Sequence, residues 1–97
     1  MMMPHHTAAN QAYDQAMTSM HTQMQRVHMN GNPDADFAAM MIPHHQGAIE
    51  MAKVELQYGT DPRLRRLAQE IIVTQQSEIE LMQRSLKHPQ SPKPSSK

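Results

Sequence analysis

Two short turn signals divide this 97-residue chain into three stretches of similar length. They read Asn-Gly-Asn-Pro at 30–33 and Gly-Thr-Asp-Pro at 59–62. Gly ends helices, and Asn or Asp before Pro is typical of a helix N-cap and first helical residue. No strand alternation or hairpin signal lies between the turns. The sequence therefore predicts three long helices, from about 7 to 29, from about 33 to 58 and from 62 to about 86.

The short turns favour antiparallel neighbours, so we expect an all-α, up-down bundle of three long helices that a second copy of the chain would complete as a dimer. One domain, residues 7–87, would contain the helices. The tail at 88–97 holds three Pro and three Ser and is predicted to be disordered. Pro43 lies inside the second helix and cannot donate to the carbonyl of Ala39. We expect a kink there, or a helix that restarts at Ile42.

Methionine and histidine are frequent and cysteine is absent: the chain has 11 Met, seven His and no Cys. Thioethers are soft ligands that select Cu(I), and imidazole also suits copper. Thiolates bind the same ions but are lost to oxidation outside the cytoplasm. The composition therefore predicts a copper protein of the periplasm or another extracytoplasmic compartment. Ag(I) would be a surrogate for Cu(I), and Cu(II) an alternative ion.

Charge and motif content argue against several other classes of protein. Nine basic and nine acidic residues give a formal net charge of zero, so no strong field attracts nucleic acid or an anionic membrane. No stretch resembles a signal peptide or a membrane span, and we expect that an export signal has been removed. The chain has no His-Glu-x-x-His, Glu-x-x-His, Cys nucleophile or Gly-rich phosphate loop. These features indicate a binding protein rather than an enzyme.

Four soft donors share one face of the first predicted helix. Because each helical residue advances about 100°, they fall within a strip roughly 60° wide over three turns. The strip borders the predicted packing face of Tyr13, Met20 and Val27, where a facing helix would supply further ligands. Its members are Met17, His21, Met24 and His28.

The second helix repeats this arrangement around His44. Phe37 and Ala48 lie within about 40° of it and belong to a predicted packing strip. His44 is at the centre of that strip and His45 at its rim, so we expect His44 to be the more buried histidine. Residues four apart on a helix can chelate one ion, which applies to Met40 with His44 and to Met41 with His45. The candidate ligands here are Met40, Met41, His44, His45 and Met51.

The third helix has a heptad-like core pattern that two polar residues interrupt. Buried polar groups need partners, and histidine N–H groups are suitable ones. Gln75 and Glu78 are therefore predicted to orient the ring of His44 or His45. The core pattern itself consists of Leu64, Leu67, Ile71, Ile79, Met82 and Leu86.

A second interpretation treats the methionines as packing residues. Met at helical spacing is usually core, and Met-rich faces also bind partner helices or unfolded chains. The chain would then be a chaperone-like interaction module without a physiological metal. Histidine discriminates between the copper-binding and the packing interpretation, because a peptide groove gains little from imidazole whereas a metal site gains donors. The run MMMPHH at residues 1–6 is interpreted either as a further site or as a mature or truncated start.

The segment MIPHHQGAIEM at 41–51 resembles the hallmark of a bacterial family, the domain of unknown function 305. The resemblance continues through Tyr-Gly-Thr-Asp-Pro at 58–62 and on to Gln75, Glu78, Ile79 and Met82, which look like the family's Q-x-x-E-I-x-x-M stretch. A His-x-x-Met at 21–24 resembles the family's upstream element. The resemblance thus covers about residues 17–86.

This resemblance implies a ferritin-like helical bundle, usually exported, with copper binding and copper tolerance described for some members. The candidate ligands Met17, His28 and Met40 lie outside the family's motifs and are predicted from helical spacing alone. We expect a non-enzymatic protein that binds Cu(I) for buffering, transfer or tolerance and that exchanges copper with a partner protein. By motif position the resemblance carries over His21, Met24, Met41, His44, His45 and Met51.

Overall fold

The computed structural model describes residues 7–89, which form three helices and no strand. α1 spans Ala8–Gln25, α2 spans Pro33–Tyr58 and α3 spans Pro62–Lys87. The predicted all-α fold is confirmed, and α2 and α3 begin and end within about a residue of the predicted bounds. None of the three helices is long and apolar enough to span a membrane. The run at residues 1–6 and the tail from residue 90 lie outside the described residues.

Side-chain caps start α2 and α3 where the sequence predicts them. The Asn32 Oδ1 atom accepts hydrogen bonds from the backbone N–H groups of Asp34 and Ala35, at 3.0 and 3.2 Å. Asp61 caps α3 in the same way, accepting from the backbone of Arg63 at 2.8 Å. Hydrogen bonds from the Arg63 side chain and backbone lower the pKa of Asp61. Each cap satisfies N–H groups that the helix itself leaves unpaired.

The first helix ends four residues earlier than predicted. The backbone N–H groups of Asn30 and Gly31 donate to the carboxylate of Asp36, in the first turn of α2, at 3.0 and 3.2 Å. Gly31 has a φ of 90°, a conformation that favours glycine. Because these residues are bound to the start of α2, the chain leaves α1 before reaching them. His28 is exposed in this connection, so its placement on the helical strip was wrong.

α1 and α3 pack on opposite sides of α2. The buried residues of α2 form two stripes about 180° apart. One stripe belongs to a core with Ile79 and Met82 of α3, and the other contacts Met20 of α1. Because α1 and α3 do not contact each other, the three helices form one layer with α2 in the middle. The stripes consist of Ala38, Ile49 and Ala52 toward α3 and of Pro43, Gly47 and Val54 toward α1.

α2 continues as one helix through Pro43. The alternative in which the helix restarts at Ile42 was therefore wrong. Pro43 is buried on the stripe that faces α1, where its apolar ring contributes to packing although it removes one helical hydrogen bond.

Half of the core predicted for α3 is exposed. Ile79 and Met82 are buried, at 2% and 9% relative exposure, whereas Leu64 and Leu67 are 50% and 49% exposed. Leu86 is also exposed, at 38%. α3 contacts only α2, and one neighbouring helix covers a narrow stripe, so the rest of the heptad pattern has no partner within the described residues.

The close contact at Gly47 gives a test of the α1–α2 packing. A Cβ at this position would lie 2.7 Å from the Sδ atom of Met20. We expect Gly47→Leu to lower the free energy of unfolding by about 1–3 kcal/mol, because the added side chain overpacks the seam. Met20→Ala in the same chain should restore part of the loss. Urea denaturation followed by circular dichroism measures both, with Gln57→Leu, an exposed position on α2, as the control. Equal stabilities for the two leucine variants would contradict the contact.

Candidate metal-binding site

The seam between α1 and α2 determines which predicted ligands meet. Met20 of α1 lies against Gly47 of α2. The two helices run antiparallel, so each step back along α1 corresponds to a step forward along α2. To within one residue, or about 1.5 Å of rise, Met24 is therefore level with His44. By the same register, Met17 is level with Met51.

One side of this seam is a groove with an apolar floor and polar side chains along its edges, which we call the polar groove. The groove has a volume of about 640 Å³, and α1 lines it with Gln15, Ser19 and Gln23. Helical spacing places Met17 and Met24 on the opposite side of Met20 from these three residues.

On α2, as on α1, the groove-lining residues and the candidate ligands lie on opposite sides of the helix. Gln46, Glu50 and Lys53 line the groove, and His44 and Met51 lie on the other side of the helix. The predicted strips of α1 and α2 are therefore on one surface, which we call the methionine face. It consists of Met17, His21, Met24, Met40, His44 and Met51.

The donors of the methionine face differ in exposure. Met24 and Met40 are half-buried beside the seam, so packing restricts their side chains. Met17 and Met51 are 44% and 37% exposed. His21 is exposed on the outer flank of α1, between Met17 and Met24. An ion arriving from solvent can therefore reach exposed donors before it reaches the half-buried thioethers.

The register groups these donors into two sets. Met40 precedes His44 by one helical turn, and the register puts Met24 level with His44 across the seam, so two thioethers and one imidazole share one level of the layer. Met17 and Met51 form a second set of two thioethers. Thioether sulfur is a soft ligand, and imidazole is intermediate, so both sets suit a soft ion such as Cu(I) better than a hard cation.

The six residues of the methionine face carry no formal charge. The carboxylate of Glu55, one turn after Met51 on the same strip, lies over Gly59 at the end of α2. The ion pair of Lys53 with Glu50, at 3.2 Å, lies on the groove side. Among residues 7–89, no group of three or more His, Asp or Glu side chains is placed to hold a metal ion. The candidate donors that the register puts at the same levels of α1 and α2 are thioethers with single imidazoles.

His45, and not His44, is the more buried histidine, so the prediction was wrong. The side chain of His45 is 15% exposed, whereas His44 is largely exposed. His45 shares the buried stripe of Ile49, one turn later, and that stripe faces α3. The sequence analysis took the strip through Phe37 as the packing surface because it is apolar, but Phe37 is 59% exposed.

Glu78 is the partner of His45, as predicted. The Nε2 atom of His45 lies 2.6 Å from Oε1 of Glu78. An ionised carboxylate only accepts, so Nε2–H donates and the lone pair of a neutral ring is then on Nδ1. Gln75 is half-buried one turn before Glu78. Met41 packs against the α2–α3 core, so Met41 and His45 lie toward α3 and away from the methionine face.

The groove was not predicted from the sequence. Its signal was present in the polar residues that recur at helical spacing opposite the methionines, at 15, 19 and 23 on α1 and at 46, 50, 53 and 57 on α2. Most of these side chains are uncharged amides, which are often read as ordinary solvated surface. These polar residues on one side, and the methionines on the other, give the three-helix layer two faces of different chemistry.

Comparison with known proteins gives a family but no activity. The model of a family described as Domain of unknown function (DUF305) matches residues 1–86. Uncharacterized protein L153 of Acanthamoeba polyphaga mimivirus is 45% identical over 49 residues. That match covers 50% of this chain and 32% of the viral protein, so the shared segment is about a third of the viral relative. Neither description names a ligand, a reaction or a partner.

The different environments of His44 and His45 can be measured directly. We expect diethyl pyrocarbonate to modify His44 several-fold faster than His45, because His45 is enclosed by α3 and bonded to Glu78. Glu78→Ala should raise the rate at His45 and leave that at His44 unchanged. Peptide mass spectrometry resolves the two sites. Faster modification of His45 in the unmodified chain would contradict the orientation of α2.

Proposed function

We propose that this chain, which belongs to the DUF305 family, binds Cu(I) through the methionine face. The observation that supports the proposal is the contact of Met20 with Gly47, whose register puts Met24 level with His44 across the α1–α2 seam. The second set, Met17 with Met51, would hold a further soft ion. Ag(I) should bind in the same way, since it is also soft.

The charge of the surface favours a monovalent ion. Thioethers carry no charge, so they cannot neutralise a divalent cation as carboxylates do, whereas Cu(I) forms favourable bonds with soft neutral donors. Every donor of the methionine face is a thioether or an imidazole. The proposal therefore selects Cu(I) and Ag(I) over Zn²⁺, Mg²⁺ or Ca²⁺.

The exposure of the donors favours exchange of the ion. Met17 is 44% exposed and His44 is also exposed, so a donor from another protein can approach the ion before the first ligands leave it. We propose a non-enzymatic role in copper buffering, transfer or tolerance, with a copper-exchanging protein as partner. The absence of Cys suits an oxidising, extracytoplasmic compartment such as the periplasm.

Met41 and His45 would serve a different ion. Their position toward α3 places His45 beside the carboxylate of Glu78. Imidazole is a harder donor than a thioether, and copper in its divalent state prefers it. We therefore propose Cu(I) for the methionine face and keep Cu(II) as the alternative ion at His45, whose imidazole Glu78 orients.

A second function is favoured by the exposure of large apolar residues beside the methionine face. Phe37 is 59% exposed, and Leu64 and Leu67 are about half exposed. Such a surface would suit an interaction module that binds apolar segments of other proteins without metal. The histidines separate the two functions, since only metal binding depends on His44.

The first experiment removes the denser set of donors. In the variant Met24→Leu, Met40→Leu, His44→Gln, we expect Cu(I) stoichiometry to fall by at least one ion per chain. If Cu(I) still binds at this set, its affinity should be lower by at least about tenfold. Replacing residues that only support the ligands of a metal site already has an effect of this size. Competition titration with a Cu(I) chelator under ascorbate measures both quantities.

The chain offers a control with the same composition. Met29→Leu, Met82→Leu, His88→Gln also removes two methionines and one histidine, but none of these belongs to the methionine face. Met29 is exposed in the α1–α2 connection and Met82 is in the α2–α3 core. The control should keep the Cu(I) stoichiometry of the unmodified chain. Equal binding by the two triple variants would rule out the methionine face as the Cu(I) site.

A further inference from the structure

The three described helices form one layer rather than two. α1 and α3 contact α2 from opposite sides and do not contact each other. No large side chain among the described residues is fully buried. Helical domains bury their apolar stripes between two packed layers. The described layer therefore leaves apolar surface that a second layer would cover.

One continuous part of this uncovered apolar surface is the methionine face and its extension over α3, whereas Val73 and Leu81 are exposed on other sides of α3. Phe37 is 59% exposed on α2, and Leu64 and Leu67 are 50% and 49% exposed on α3. Helical spacing puts both leucines on the side of α3 away from Gln76, which lines the polar groove. We use the name extended methionine face for the methionine face together with Phe37, Leu64 and Leu67.

The size of this surface matches a stable protein interface. Three helices at an axial spacing of roughly 9 Å give a layer about 27 Å wide. Helices of 18 and 26 residues extend roughly 27–39 Å at 1.5 Å rise. The side of the layer that carries the extended methionine face therefore offers on the order of 800 Å² per chain, which is the area that each partner contributes to a standard specific interface.

We propose that the extended methionine face packs against the same face of a second copy of this chain. Two carboxylates lie on this side of the layer, but Glu78 is bonded to His45 at 2.6 Å and Glu55 lies over Gly59 at the end of α2. The centre of the face therefore carries no formal charge that would repel a second copy. The small residue Ala48 lies near the middle of α2 on this side, where it allows two α2 helices to approach. A two-fold arrangement of this kind is the commonest form of homo-oligomer.

The dimer would complete the metal sites, a point that rests on the proposed function. His44 lies near the middle of α2. A two-fold axis at this point therefore places the α2 strip of one chain, with Met40, His44 and Met51, against the same strip of the other chain. Donors such as the partner's Met51 and the partner's Met40 then approach His44. An ion bound by donors of both chains stabilises the dimer, because binding to the associated state shifts the equilibrium toward it.

The experiment is sedimentation equilibrium of the full chain at about 1–200 μM, the range in which interfaces of this size associate. It is performed without metal and with Ag(I), which needs no reductant. We expect a monomer–dimer equilibrium whose dissociation constant falls on the order of tenfold with Ag(I), as for coupled binding sites. A chain that is monomeric at every concentration, with and without Ag(I), would overturn the proposal. The same result is expected if a different protein, and not a second copy, covers this face.

Matched variants locate the contact. Phe37→Glu with Leu67→Glu should give a monomer with unchanged helix content, because both side chains are exposed in the single chain. Val73→Glu with Gln57→Glu adds the same two charges at exposed positions off the extended methionine face and should remain dimeric. A dimer that persists in the first variant, or is lost in the second, would show that another surface mediates association.

Cu(I) titration of the monomeric variant separates the two proposals. If the dimer forms but neither chain nor variant binds Cu(I), the metal function fails and the interface stands. If the monomeric variant binds Cu(I) with the full stoichiometry and affinity, the sites are complete within one chain and their sharing across the dimer is wrong. A variant that binds more weakly per chain supports shared donors.

Discussion

The arrangement of this protein depends on the two opposite buried stripes of α2. One stripe meets α1 at Gly47, where the absence of a side chain lets Met20 lie against the backbone. The other meets the core of α3 around Ile79. Because the stripes are about 180° apart, the outer helices cannot close into a triangle. Both remaining sides of α2 stay open, and one of them carries His44 and its neighbouring thioethers.

Features set by local chemistry could be predicted from the sequence, and features set by distant partners could not. The caps at Asn32 and Asp61 follow from side chains within three residues of the groups they bind. The early end of α1 depends on Asp36, whose carboxylate holds the connection from the next helix. No spacing rule within α1 contains that information, so His28 was placed on a helix that does not extend to it.

The reversal of His44 and His45 has the same origin. α2 has apolar residues on most of its circumference, including Phe37, which is exposed, and Ile49, which is buried. Hydrophobic periodicity identifies the buried side of a helix only when the apolar residues are confined to one side of that helix. The choice among several apolar sides is made by α1 and α3, which the sequence of α2 does not describe. Helical spacing grouped candidate ligands into one strip on α1 and one on α2, but the surface that these strips occupy follows only from the packing.

The use of methionine where leucine would pack equally well connects the two roles that we propose for this surface. A thioether has nearly the volume of a leucine side chain and is flexible, so it can lie in an apolar interface without a metal and turn toward an ion when one is bound. Histidine offers no comparable apolar contact, and on this surface His44 and His21 are exposed. A surface that only packs has no need of imidazole, and a site that only binds metal has no need of Phe37 or Leu67 beside it. The presence of both kinds of residue on one face is therefore best explained by a surface in which association and metal binding depend on the same side chains.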